Sequence, residues 1–362
     1  MIQFNSLISP WLKRGDLRLD LIKKDGRIRV NIRELAKLAG VSPATVSLVM
    51  NDRPGVGKET RNRILQLAVE HDYVLGKRSK ELKNILFLKY IKHGMIVEDN
   101  AGFVSAIMDS VENDCCEEGY TLNVKTSENK LSKTLTEIQY HNYQGIIFLG
   151  TELDESEYSL LNNIPIPYVV IDNVMPHFHC NSIAIDNFEI VYGALKYLKE
   201  LGHQEIAYFK SNIAIQNFVE RSNAFLRYAD KFDLKYNKIN EFAVTPTMLG
   251  AYKDLSMQLK DKPKLPSCAF ADNDTIAVGA IKALKKAGYK VPEDISVIGF
   301  DDIPFAAINS PTLTTMRVPK KMIGTLALMQ LHRMIEDEMM MDQKTRVGGE
   351  LVVRHSTAEY NE

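Results

Sequence analysis

The stretch VNIRELAKLAGVSPATVSLVMN, residues 30–51, decides how the front of this 362-residue chain folds. Ile32, Leu35, Ala36, Leu38 and Ala39 recur at three- and four-residue steps, which is one apolar face of a helix. Gly40 follows, a residue that tolerates the left-handed backbone of a helix C-terminus. Val41 is apolar and fits the gap between two helices. Ser42 is a good N-cap, and Pro43 then falls at the first helical position, where no N–H is needed. Val46, Val49 and Met50 give the second helix its apolar face, leaving Ala44, Thr45, Ser47, Leu48 and Asn51 on the other. Two readings fit this geometry: a packed helical hairpin, or a helix-turn-helix whose second helix enters the DNA major groove.

The wording of the stretch favours the second. GVSPATVS (40–47) followed by VMNDRPGV (49–56) resembles the DNA-reading headpiece of the LacI/GalR family of bacterial transcriptional regulators. The resemblance runs through Lys58-Glu59-Thr60-Arg61 and the helix up to Tyr73, and returns in blocks to about residue 330. Residues 58–71 read as a third helix that buries Ile64, Leu65, Ala68 and Val69, with Tyr73 as a lid. The headpiece is therefore expected over 30–73. Residues 74–84, VLGKRSKELKN, read as a flexible linker from their composition. The resemblance implies instead a hinge helix that forms on DNA and presses Leu82 into the minor groove. Leu75 and Gly76 stand where the family often has Pro-Asn.

Charge divides along the same line. Residues 1–84 carry 17 Lys and Arg against 9 Asp and Glu, and the remainder 28 against 37. A basic front on an acidic body suits a nucleic-acid-binding head. Residues 1–29 are a basic amphipathic extension with a helical pattern from about Pro10 to Lys24. Family members usually begin close to the helix-turn-helix. Either translation starts at Val30 through a GTG codon, or the extension is a basic arm on DNA or headpiece. The four cysteines form no CxxC pair and read as reduced thiols, which fits a bacterial cytoplasmic, nucleoid-associated protein. His177, His179 and Cys180 make a short cluster that reads as surface rather than metal site. No apolar run reaches membrane-spanning length, and no signal-peptide core is present.

Beyond residue 84 short apolar runs alternate with helical patterns. The strand candidates are 85–90, 121–126, 145–150, 168–172, 205–210, 268–272 and 295–302, with a chain crossing near 182–187. Helical patterns include 187–201 and 275–288. Continuous apolar runs suit strands covered on both faces, so the body reads as doubly wound α/β with parallel sheets. The resemblance implies two lobes of the periplasmic-binding-protein type within 85–362: 85–186 with 313–345, and 187–312 with 346–362. Their cleft is expected to close on a small molecule at the strand C-terminal ends. Helix 319–340 is apolar on one broad side and reads either as dimer surface or as lobe packing.

The resemblance also assigns roles. In the headpiece Thr45 and Ser47 bond phosphates, Ala44 and Leu48 face base edges, and Ser42 and Pro43 open the reading helix. Many relatives carry Arg where this chain has Leu48. Lys58, Thr60 and Arg61 anchor the backbone, and Asn51 does so or caps its helix. In the cleft, Arg221, Asn273, Asp301 and Asp172 match effector-contacting positions. Arg221 opens an R-x-x-x-F stretch with Phe225, and reads otherwise as a surface ion pair. Asn273-Asp274 follow the strand candidate 268–272 and Asp301-Asp302 end 295–302; Asp274 also suits a helix N-cap, and Asp302 reads as structural. Phe103 stacks on a sugar ring or belongs to the core. The segment KYIKHGMIVEDNAGF (89–103) departs most from the family, which usually has a short Asn-Pro-Phe loop there.

No Gly-rich phosphate loop, metal-ligand spacing or G-x-S-x-G elbow argues for an enzyme. The expectation is a DNA-binding transcriptional regulator, a repressor, working as a homodimer on operator DNA under allosteric control by a sugar or related metabolite, with no cofactor. The competing reading, a small-molecule receptor with a vestigial headpiece, sits poorly with the basic front and the missing export signal.

Overall fold

The computed structural model describes residues 32–50, 55–71, 83–94, 101–336 and 342–360. The chain divides into two compact units, Met1–Lys80 and Glu81–Glu362.

Among its described residues the first unit holds three helices: α1 (Ile32–Leu38), α2 (Pro43–Met50) and α3 (Lys58–Glu70). Gly40 takes φ +65°, and the Val41 N–H reaches back to the Ala36 carbonyl at 3.0 Å, a helix-ending pattern that a Cβ would strain. The Ser42 hydroxyl accepts the Thr45 N–H at 3.1 Å, capping α2 as its sequence indicates. Leu35, Ala36, Ala39, Val46, Val49, Ile64 and Ala68 form the core, with Val41, Met50, Val56 and Leu67 packed on it. Two expected core residues face solvent instead. Leu38 is 50 % and Leu65 42 % exposed, because the turn of α3 presents Leu67 to the core in place of Leu65.

The second unit carries two six-stranded sheets. The first lobe contains β1 (Asn84–Ile91), α4 (Ala101–Glu117), β2 (Thr121–Glu128), α5 (Leu131–Glu137), β3 (Gly145–Leu149), β4 (Tyr168–Ile171) and β5 (Asn181–Ile185). The second holds α6 (Asn187–Glu200), β6 (Ile206–Ser211), α7 (Gln216–Lys231), β7 (Glu241–Val244), α8 (Met248–Gln258), β8 (Cys268–Ala271), α9 (Asp274–Ala287), β9 (Ser296–Asp301), α10 (Pro304–Ile308) and β10 (Thr314–Arg317). The chain then returns to the first lobe as α11 (Lys320–Glu336) and β11 (Lys344–Val347), and ends in the second with β12 (Glu350–Val352). The sheet orders are β11-β5-β4-β3-β1-β2 and β12-β10-β9-β8-β6-β7. Every pairing is parallel except β10 with β12. The central strands are buried along their whole length, as covered parallel sheets require.

The lobes are therefore joined by three crossings, after β5, β10 and β11. This moves two expected boundaries. Residues 314–317 pair with β9 in the second lobe, so that lobe extends past 312. Arg346 and Val347 pair with β5 in the first, so the last crossing lies at Gly348-Gly349 rather than at 345/346. A Cβ on Gly349 would lie 2.5 Å from the Arg317 carbonyl, so the backbones pass here only because glycine has none. The 182–187 segment is a strand before it is a crossing. Helix α11 packs on α4 and on strands β3 to β5, within the first lobe.

Candidate functional site

Both sheets aim their strand C-termini at one cleft. A small cavity of about 20 Å³ is lined by Phe103 and Val104 of α4, Thr151 after β3 and Asp172 after β4. From the other lobe come Ile215, Asn217, Phe218 and Arg221 on and before α7, Asn273 after β8, and Asp301 ending β9. The five cleft residues expected from sequence, Phe103, Asp172, Arg221, Asn273 and Asp301, thus meet around one space.

Two of them occupy matching places. Asp172 directly follows β4 and Asp301 ends β9, the third strand in each sheet order, and both adopt positive φ, 61° and 110°. Left-handed backbone at a non-glycine residue is strained, and such strain gathers at binding sites. The Asp172 carboxylate accepts from Thr151 Oγ1 at 2.6 Å and from Asn217 Nδ2 at 2.9 Å. Burial pushes its pKa up to about 6, against the pull of those bonds and of Arg221.

Arg221 is 3 % exposed, not a surface ion pair. Its guanidinium carbon lies 3.6 Å from the centre of the Phe300 ring. Nε donates to Asn187 Oδ1 at 2.9 Å, one Nη to the Asp272 carbonyl at 2.5 Å, and the other faces Asp301 Oδ1 at 3.6 Å. Asn187, first residue of α6, also donates to Asn217 Oδ1 (3.0 Å) and Glu220 Oε2 (2.9 Å). Glu220 in turn takes a fork from Arg346 of β11 at 2.9 and 3.2 Å, an ion pair between the lobes.

Asn273 lines the cavity and is itself the N-cap of α9, accepting the Ile276 N–H at 2.9 Å. Asp274, read as a possible cap, is instead fully buried. It accepts from Thr315 Oγ1 at 2.5 Å and from the Ile303 N–H at 2.9 Å. Burial and the nearby Asp301 push its pKa up to about 8. Asp302 is structural, held by Arg317 and Arg354 at 2.7 Å each. Burial alone would raise its pKa, but those two bonds outweigh it and hold the group below the carboxylate range. Phe103 belongs to the core and to the cavity wall at once. His177 and His179 are exposed and Cys180 is buried, and no metal-holding group of His, Cys, Asp and Glu occurs among the described residues.

Asn217, Thr151, Phe218 and Asn187 carry no signal in the sequence that singles them out. Asn217 lies four residues before Arg221 in QNFVER, hence on the same helix face, and Thr151 follows an apolar strand directly.

On the headpiece, Ser42, Pro43, Ala44 and Lys58 are exposed, and Thr45, Ser47, Leu48, Thr60 and Arg61 half-buried. Thr45 and Ser42 share a 2.9 Å hydroxyl bond. Asn51, Tyr73 and Leu82, together with residues 1–29, lie outside the described residues.

Comparison with known proteins follows this anatomy. Residues 31–74 match the model of bacterial regulatory proteins of the lacI family, and 195–357 match a periplasmic binding protein-like domain. The chain is 31 % identical over 332 residues to the HTH-type transcriptional repressor PurR of Pasteurella multocida (strain Pm70), covering 90 % of this chain and 98 % of that one. The PurR of Histophilus somni (strain 129Pt) gives 32 % over the same coverage. The chain belongs to the lacI family. Among solved structures, the transcriptional regulator CelR in complex with cellobiose superposes with a TM-score of 0.67 at 22 % identity over 91 % of this chain and 100 % of that one. The Lac repressor dimer bound to operator and the anti-inducer ONPF gives 0.66 at 21 %, over 91 % and 99 %. This lacI-family member is a DNA-binding transcriptional repressor with a ligand-binding domain, and its relatives are repressors, not enzymes. No helix among its described residues is long and apolar enough to cross a membrane.

Proposed function

We propose that a small polar metabolite, a sugar, binds the cleft and sets the affinity of a homodimer for its operator in the bacterial cytoplasm. One observation carries this reading. Phe103 and Asp172 of one lobe and Arg221, Asn273 and Asp301 of the other line a single cavity. Carboxylates, an amide and a guanidinium suit hydroxyl groups, and an aromatic face suits the C–H side of a sugar ring. Occupancy acts by favouring one lobe arrangement, which sets the spacing of two reading helices on a palindromic site.

On the DNA side, α2 supplies base contacts through Ala44 and Leu48 and phosphate contacts through Thr45 and Ser47. Ser42 and Pro43 place its N-terminus; Lys58 and Thr60 hold backbone. The same reading gives DNA contacts to Asn51, Tyr73 and Leu82. The α2 first turn holds no acidic residue, so no side chain within that turn offsets the positive end of the helix.

Thermal-shift screening of sugars, nucleosides and free bases tests the cleft, since a bound ligand raises the melting temperature. A gel shift with upstream genomic DNA at stated salt tests the headpiece. Silence in the first screen removes the effector reading; silence in the second removes the regulator reading.

A further inference from the structure

The charge inside the cleft narrows the class of molecule it can take. Among the described residues lining the cavity, Asp172 and Asp301 bring two carboxylates against one cation, Arg221. More negative charge stands directly behind them. Asp272 is buried and accepts from Tyr208 Oη at 2.5 Å and the Ser211 N–H at 2.7 Å, while Asp274 is buried on Thr315 and Ile303. The other nearby cation, Lys320, already donates to the main-chain carbonyls of Asp301 and Asp302. With Asp274 pushed to about 8 and so mostly neutral at pH 7, Asp172 and Asp272, at about 6, stay mostly ionised beside Asp301. Among the described residues around the cavity, acidic side chains thus outnumber basic ones, with Asp172, Asp272, Asp274 and Asp301 against Arg221 and Lys320.

The guanidinium is also poorly placed to receive an anion. A side-on fork to carboxylate or phosphate uses Nε together with one Nη. Here Nε is committed to Asn187, one Nη donates to the Asp272 carbonyl and the other faces Asp301. Stacking on Phe300 fixes the plane, so another edge cannot swing round. What the cleft offers is acceptors with spare lone pairs on Asp172, single donors, and the rings of Phe103 and Phe218.

Resting on the effector reading above, we propose that this cleft selects an uncharged, hydroxyl-rich ligand and rejects its phosphorylated or carboxylated counterpart. Hydroxyls donate to Asp172 and Asp301, and the aromatic rings cover the apolar side. A phosphate at the same place meets the carboxylates within a few ångströms in a low-dielectric pocket, which weakens it on the order of a hundredfold.

The decisive experiment is calorimetric titration and thermal melting of the full chain against matched pairs: glucose and glucose 6-phosphate, ribose and ribose 5-phosphate, galactose and galacturonate, adenosine and adenosine monophosphate. Binding confined to neutral members supports the inference. An anionic member that binds as tightly as its parent overturns it while leaving the effector reading standing. If no member of any pair binds, the effector reading falls and the inference with it. Asp172→Asn removes one charge but keeps an acceptor for Thr151. It is expected to shrink the neutral-over-anion preference about tenfold, whereas a purely structural role would weaken both members equally.

Discussion

Asn217 of the second lobe donates through Nδ2 to both the carboxylate (2.9 Å) and the main-chain carbonyl (3.1 Å) of Asp172 in the first. One buried amide thus bridges the cleft. Nearby, Pro304 of the second lobe comes so close to Gly102 of α4 that a Cβ there would stand 3.1 Å from its ring. The lobes therefore meet through directional polar bonds and a tight backbone approach. A ligand entering the cavity must compete with the amide or be bridged by it.

Arg221→Ala is expected to abolish any ligand-induced rise in melting temperature while leaving operator binding intact. It also strips Asp301 of its ion pair and Asn187 of a donor, so stability should fall by about 3 kcal/mol in denaturant titration. An unchanged ligand response would show that the cleft has been assigned wrongly.

Thr45→Ala combined with Ser47→Ala should give the reverse pattern. Operator affinity in a gel shift drops about tenfold or more, as two phosphate contacts are lost, and the cleft ligand still raises the melting temperature. Full operator affinity in this double variant would show that α2 does not carry the contacts given to it.

Gly40→Ala places a Cβ on backbone at φ +65°. Nothing lies close enough to clash, so the expected loss is the backbone contribution alone, about 1–2 kcal/mol. The headpiece melting transition reads it. Operator affinity follows that transition, and the cleft does not respond.

Asp274 gives the pH dependence a defined window. Its folded pKa, about 8, lies above the ordinary 3.8, so the folded chain keeps a proton that the unfolded chain has released. The stability tied to that proton is present at low pH and is lost as pH rises through about 8. Asp172 and Asp272 act the same way near 6, where His203, lowered by burial, opposes them. Between about pH 7 and 9 the fall in melting temperature should therefore belong to Asp274, and Asp274→Asn should flatten it. A wild-type curve already flat in that range would contradict the assignment.

Much of this is legible in the chain itself, for reasons that differ by element. The turn between α1 and α2 is readable because each residue there meets a local conformational demand, with left-handed backbone at Gly40, capping at Ser42 and a dispensable N–H at Pro43. Strands such as 145–149 and 268–271 are readable because burial on both faces demands an unbroken apolar run. β10 and β11 are not, since TTMR and KTRV have mixed polarity and join their sheets at or beside an edge. Lobe membership at 314–317 and 346–347 follows from pairing with distant strands, which no local pattern encodes. The cleft acids stand out as polar residues closing apolar strands. Asn217 and Asn187 do not, because an amide bonding two lobes looks in sequence like any helix polar residue. Leu65 and Leu67 show the same limit at smaller scale: helical phase has to be known to one residue.

The three passages of the chain between its lobes also fix an order of events during synthesis. When the second lobe emerges from the ribosome, the first still lacks α11 and β11, and its α4 has no helix to pack against. That lobe can close only after residues up to Val347 have been made. A nascent or prematurely terminated chain ending before Lys320 thus leaves apolar surface on α4 uncovered, a target for chaperones and proteases rather than a free-standing half of the molecule.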